Sequence, residues 1–268
     1  MSKPTRRTWL ITGAASGLGR ELATQLARRG ERLVLWDRDA ERLARTASLL
    51  GPAVVHQACI DVVNSDATRD AAEHAVDAAG RISRVIHCAG VLRVGPALSM
   101  SATDYRTMVE VNFLGTVNVA RALCPVLIEN GKPHDRSQLV LLASVAGLRG
   151  IPTLAGYSAS KHAVFGFFDS LRIELMDSGV DVTMVYPGFV DTGIRENSAG
   201  PDGKPIGHVP VRLNMMSVEE CARITIAAIE ARRREVVMTA RGKMGAWLKL
   251  VAPGVVDRMA KRVIEQGS

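Results

Sequence analysis

The chain has 268 residues, of which 47% are hydrophobic and 23% charged, a balance that suits one large globular domain and excludes a disordered or collagen-like chain. Aromatic residues are only 4%, so the core is expected to be aliphatic. The net charge of +7 sits at the ends: residues 231–268 carry nine Lys/Arg against three acids, a net of +6, residues 1–10 add +3, and residues 11–230 come to −2.

Apolar β-prone runs alternate with helical patterns along the chain. Strands are predicted near 8–12, 32–36, 53–58, 84–88, 138–142, 180–186 and 235–239, with helices near 18–29, 39–50, 66–79, 101–129, 155–178 and 217–233. The strands are short and continuously aliphatic, as in Leu139-Val140-Leu141-Leu142, which fits a parallel sheet buried on both faces. Strict β–α alternation implies a doubly wound α/β sheet of about seven strands, Rossmann-like, with helices on both faces. Residues 1–241 read as one dinucleotide-binding domain. Residues 188–216 interrupt its rhythm with several Gly and Pro and read as a substrate lid. Residues 242–268 read as a basic amphipathic helical extension, with Met244, Trp247, Leu248 and Val251, then Val255, Val256, Met259 and Val263, at helical spacing.

No run of eighteen apolar residues occurs, so no membrane-crossing helix is expected. The basic start lacks the apolar stretch of a signal peptide. Cys59, Cys88, Cys124 and Cys221 form no Cys-x-x-Cys and read as buried free thiols suited to a reducing cytoplasm.

The first strand runs into Thr12-Gly13-Ala14-Ala15-Ser16-Gly17-Leu18-Gly19 and a helix follows. Glycines there permit a tight turn and let backbone N–H groups approach a pyrophosphate at the positive end of a helix. The second strand ends at Asp37, twenty residues after Gly17. A carboxylate there can accept from adenosine ribose hydroxyls and repels a 2′-phosphate, which argues for NAD. Alternatively Asp37 caps the next helix, and Arg38 beside it could pair with a 2′-phosphate, so NADP stays open. Tyr157 and Lys161 are four apart at the start of a predicted helix and share one face. A nearby ammonium favours the phenolate, which would make the tyrosine a usable base. Ser144 follows an apolar strand, at the sheet edge where ligands bind.

Together these pieces resemble the short-chain dehydrogenase/reductase family over roughly residues 8–240, with similarity to bacterial and steroid- or retinol-type members. The matching residues are Thr12-Gly-x-x-x-Gly17-x-Gly19, Ala89-Gly90, Asn112, Ser144, Tyr157-x-x-x-Lys161, and Pro187-Gly188 with Thr192. The resemblance implies Tyr157 as general acid/base, Lys161 on the nicotinamide ribose and lowering the tyrosine pKa, and Ser144 on the substrate oxygen. It implies Asn112 in a water relay, Asp61 and Val62 at the adenine, and Pro187, Val190 and Thr192 at the carboxamide. With Gly13, Ser16, Gly17, Leu18, Gly19, Asp37, Arg38, Ala89 and Gly90, these make the expected cofactor site, and no metal site is expected. One departure stands out: the family's Asn-x-Ala-Gly is His87-Cys88-Ala89-Gly90 here.

The implied activity is hydride transfer between NAD(P) and a secondary alcohol or ketone on an apolar skeleton, of which steroid-, retinoid- and lipid-like ones are examples. Leu92, Val94, Val145, Leu154 and Phe189 are candidate pocket residues. A non-catalytic dinucleotide-binding sensor or scaffold is the alternative, opposed by the complete Asn112, Ser144, Tyr157 and Lys161 set. A homodimer or homotetramer through the helices near 101–129 and 155–178 is expected from the resemblance. Nucleic acid is not an expected partner, because no groove-reading motif or interleaved aromatics accompany the basic residues. The location expected is cytoplasmic. The basic tail either packs on the body, the favoured reading, or lies on an anionic membrane.

Overall fold

The continuous aliphatic runs assemble into one parallel sheet. A computed structural model describes residues 7–191, 200 and 215–265; the side chains of Arg241, Ala246 and residues 262–265 are outside that description. The strands are β1 (Thr8–Thr12), β2 (Arg32–Asp37), β3 (Val54–Cys59), β4 (Ile82–His87), β5 (Ser137–Leu142), β6 (Val180–Tyr186) and β7 (Glu235–Val237). They lie in the order β3-β2-β1-β4-β5-β6-β7, and all pairs are parallel. This is the doubly wound sheet that the β–α alternation implies. Every residue of β1, β4 and β5 is buried, because helices cover both faces of the central strands.

The helices are α1 (Gly17–Arg28), α2 (Ala40–Leu50), α3 (Ser65–Ala79), α4 (Ala102–Val109), α5 (Gly115–Asn130), α6 (Ala155–Glu174), α7 (Val218–Glu230), α8 (Ala240–Val251) and α9 (Pro253–Glu265). Side chains start several of them: Asp39, Asn64 and Ser217 each accept the N–H three residues on, and Ser101 and Asp104 form a reciprocal capping box. Helix α1 buries Gly19, Leu22, Ala23 and Leu26, one stripe at i, i+3, i+4 and i+7.

Two elements differ from the sequence reading. The single helix expected near 101–129 is α4 and α5 joined by a π-helical turn at Glu110–Leu114. One extra residue per turn is invisible to a 3.6-residue pattern. The merged helix Ala102–Asn130 is long and apolar enough to cross a membrane by length and composition, contrary to expectation, but Val119, Leu123 and Leu127 are buried against the sheet. The tail is two helices rather than one, because Pro253 cannot continue α8.

The chain order reverses between β1 and β4, whose neighbours run away on opposite sides. Ligands of such sheets bind in the crevice beyond the carboxyl ends of the strands at that switch point.

Candidate active site

A cleft of about 880 Å³ occupies that crevice. One half is built from the β1–α1 loop and the end of β2. Its floor is glycine because nothing else fits: a Cβ on Gly19 would stand 2.2 Å from the Gly13 carbonyl oxygen, and one on Gly13 would stand 2.9 Å from the Ala89 nitrogen. The N-cap residue Ser16 makes no side-chain capping bond and the first turn of α1 holds no acid. The positive helix end and its orphan N–H groups are thus left for an anionic ligand, so this cradle fits a dinucleotide pyrophosphate.

Asp37 closes this half. Its Oδ2 accepts from the Ala15 N–H at 2.9 Å and its Oδ1 from the Asp39 N–H at 3.0 Å. Asp39, not Asp37, caps α2 by accepting from the Arg42 N–H at 3.0 Å, so the capping alternative falls to its neighbour. Each carboxylate oxygen keeps a lone pair for ribose hydroxyls. Arg38 and Arg42 border the same end of the cleft. Sequence reading missed Arg42, although it lies one helical turn after Arg38. Asp61 and Val62 also line the cleft; the Val62 carbonyl accepts from Asn118 Nδ2 at 2.9 Å, which anchors that loop to α5.

The other half holds Ser144, Tyr157 and Lys161. Ser144 is extended at the end of β5, caps a short turn at Val145–Gly147, and accepts from the Ala146 N–H. A Cβ on Gly147 would stand 2.8 Å from the Lys161 carbonyl oxygen. Glycine there lets the turn press on α6 and brings Ser144 beside Tyr157, close enough to favour the phenolate. Tyr157 is partly exposed to the cleft yet withdrawn from bulk solvent. Burial pushes its phenol up to about 12, with Ser144 pulling the other way. Burial lowers Lys161 to about 8. Its Nζ donates to the Leu142 carbonyl at 2.9 Å and lies 5.8 Å from the Tyr157 ring centroid. The lowering of the phenol by the ammonium that the resemblance implies has no part in this arrangement: burial raises the phenol and Ser144 alone opposes it.

Asn112, in the π-helical turn, accepts from the Val91 N–H at 2.8 Å and donates at 3.0 Å to both the Val91 carbonyl and Ser160 Oγ. Ser160 Oγ donates in turn to the Tyr157 carbonyl at 2.8 Å. Asn112 thus braces the loop after β4 against the first turn of α6.

Ala89 and Gly90 line the cleft between its halves, as do Pro187 and Val190 near its mouth. The Val145 N–H donates to the Pro187 carbonyl at 3.0 Å, and Val190 bridges to Met216. Thr192 and most of the expected lid lie outside the described residues. Leu92, Val94, Val145, Leu154 and Phe189 all border the cleft. So do residues that sequence reading missed: Arg149, whose Nε is buried without a hydrogen-bond partner, and Met244, Leu248, Val256 and Met259 from α8 and α9. The tail's return over the cleft is a tertiary event with no local signal.

Comparison with known proteins identifies the family. A family model described as short chain dehydrogenase matches residues 7–202. Dehydrogenase/reductase SDR family member 7B of Xenopus laevis is 33% identical over 254 residues, covering 91% of this chain and 77% of the relative. Human dehydrogenase/reductase SDR family member 7 is 33% identical over 234 residues, covering 84% of this chain and 68% of the relative. Among solved structures, a short chain dehydrogenase/reductase from Burkholderia phymatum in complex with NAD superposes with a TM-score of 0.81 at 27% identity, covering 95% of this chain and 96% of the other. A short chain dehydrogenase from Burkholderia cenocepacia J2315 in complex with NADP gives 0.80 at 29%, covering 95% and 97%.

Proposed function

This chain belongs to the short-chain dehydrogenase/reductase family and is an NAD(P)-dependent oxidoreductase, and from that premise we propose that it interconverts a secondary alcohol and a ketone on an apolar skeleton, with Tyr157 moving the proton. The observation that carries this reading is that Ser144, Tyr157 and Lys161 line one cleft together with the glycine cradle and an apolar wall.

When bound, the nicotinamide cofactor supplies or accepts the hydride. Gly13, Ser16, Gly17, Leu18 and Gly19 would hold its pyrophosphate, Asp37 its adenosine ribose, Asp61 and Val62 its adenine, and Pro187 and Val190 its carboxamide. NAD is the form that Asp37 favours, since a carboxylate repels a 2′-phosphate. Ser144 holds the substrate oxygen beside the phenol. A phenol held at about 12 is protonated at neutral pH, which suits Tyr157 to deliver a proton to a carbonyl oxygen. Lys161 holds its ammonium 5.8 Å from the phenol ring centroid, and Asn112 acts through Ser160 as a positioning residue. Leu92, Val94, Leu154 and Phe189 give the substrate an apolar wall. Pairing through α5 and α6 into a homodimer or homotetramer belongs to the same proposal, supported by exposed Leu114, Ile128 and Ile173.

The test is NADH oxidation against a panel of apolar ketones with wild type and Tyr157→Phe. Turnover should fall by about 10²–10⁴ in the variant while NADH affinity is kept. Turnover that survives the substitution would remove Tyr157 from the chemistry.

A further inference from the structure

Helix α8 is turned against its own amphipathy. The side that meets the body is the row Gly242, Gly245 and Leu248: Gly242 is buried, and a Cβ there would stand 2.8 Å from both Val145 Cγ1 and Thr239 Oγ1. Thr239 fixes this orientation by capping the helix, accepting from the Gly242 N–H at 3.0 Å. Because the small residues face inward, the large apolar residues face out. Trp247 is 65% exposed, Leu250 82% and Val251 60%. The sequence reading placed Met244, Trp247, Leu248 and Val251 in one stripe that packs on the body; Met244 and Leu248 border the cleft, and Trp247 and Val251 do not. A water-facing helix normally shows the opposite pattern.

The surroundings of this apolar face are basic. Exposed Lys243 lies one turn before Trp247, and Lys249 and Arg258 are exposed nearby. Residues 240–268 carry six Lys/Arg against two acids, a net +4, whereas residues 11–230 come to −2. A second copy seated on this face would bring two such tails together and would meet like charge with like. An anionic lipid surface meets both features at once, taking apolar side chains below its headgroups and cations at their level, with tryptophan at the boundary.

We propose that the outward face of α8 docks on an anionic lipid bilayer through Trp247, Leu250 and Val251, with Lys243 at the headgroups. The inward side of the same helix is a wall of the cleft, so docking holds the cleft beside the membrane surface. The surface does not depend on the proposed reaction.

The chain carries its own probe. Trp9 and Trp36 are fully buried, leaving Trp247 as the exposed tryptophan among three. Adding vesicles rich in phosphatidylglycerol to the full chain should shift tryptophan emission to the blue, and brominated lipid should quench it. Phosphatidylcholine vesicles and high salt should weaken both effects. The double variant Leu250→Ser/Val251→Ser should bind vesicles at least about tenfold more weakly in co-sedimentation, while its turnover of a water-soluble ketone is unchanged. No emission shift with either vesicle overturns the proposal. So does a shift that grows with protein concentration without lipid and accompanies a doubled mass in light scattering, because a second copy then covers the face.

Discussion

The Thr12 hydroxyl and the His87 imidazole join the ends of β1 and β4 under the cleft, with Thr12 Oγ1 2.8 Å from His87 Nδ1. Thr12 Oγ1 also accepts from the Cys88 and Ala89 N–H groups, each at 3.2 Å. Its own proton is therefore directed at His87 Nδ1, which leaves the imidazole proton on Nε2. Nε2 is buried and has no hydrogen-bond partner. His87 thus serves as an acceptor where the family's asparagine stands, at the cost of one orphan donor.

Burial, and secondarily the Lys161 charge, lower His87 from 6.5 to about 3. Above 6.5 the ring is neutral in both folded and unfolded chains. As pH falls through this window the unfolded chain takes up a proton and the folded chain does not, so stability is lost at up to about 1.4 kcal/mol per pH unit. His87→Asn keeps an acceptor for Thr12 and removes this loss. Urea titrations of both proteins at several pH values should show the variant gaining on wild type steadily below pH 6.5. Parallel acid profiles would mean that His87 charges freely in the folded chain.

Tyr157 and Lys161 set opposite pH dependences for the two directions. The phenol at about 12 keeps its proton throughout an ordinary assay range, whereas Lys161 at about 8 loses its charge within it. Ketone reduction needs the phenol, so kcat/KM should be level from pH 6 to about 8 and fall as Lys161 deprotonates. Alcohol oxidation needs the phenolate, whose fraction climbs about tenfold per unit far below its pKa. Oxidation should therefore rise with pH, less steeply once Lys161 is neutral. An oxidation profile already level at neutral pH would place the phenol pKa far below this structure's value.

Where the site is made of local pattern, it was readable in the sequence. The glycine run needs a strand before it and a helix after it, and both flank it; the Tyr157–Lys161 spacing is one helical turn and both line the cleft. What was not readable depends on partners far along the chain. The Thr12–His87 pair spans 75 residues. The Asn112 brace needs the loop at Val91 to arrive beside a π-helical turn that no apolar period records. For α8 the apolar stripe was legible but its orientation was not, because close approach of Gly242 outweighed the pull of Trp247 toward the core.

Two glycine substitutions should move in opposite directions. Gly19→Ala drives a methyl into the Gly13 backbone, the contact being 2.2 Å, and backbone cannot yield as a side-chain tip can. A loss of about 1–3 kcal/mol and a large drop in NADH affinity are expected. Gly166 is exposed within α6 and a Cβ there meets nothing within 4 Å. Gly166→Ala should raise stability by about 0.5–1 kcal/mol, with NADH affinity unchanged. Thermal melts and fluorescence titration read both; a destabilised Gly166→Ala would show that α6 is covered there by a second copy.

Asp37 does two things that substitution can separate. Its Oδ2 holds the Ala15 N–H of the glycine loop, and its charge faces the place where a 2′-phosphate would sit. Asp37→Asn keeps an acceptor for Ala15 but removes the charge; Asp37→Ala removes both. Arg38 is exposed at this end, and Arg42 Nε is 3.4 Å from Asp39 Oδ2, a surface pair weak enough to release it to a phosphate. If repulsion sets cofactor choice, Asp37→Asn should bind NADPH at least about tenfold better than wild type does and leave NADH within a few fold. Asp37→Ala should gain NADPH similarly but lose affinity for both forms through a loosened loop. Fluorescence titration with NADH and NADPH on the three proteins decides it. Tighter NADPH binding by the wild type would make Arg38 and Arg42 the readers, and a loss of both cofactors in Asp37→Asn would make Asp37 a loop anchor whose charge does not select.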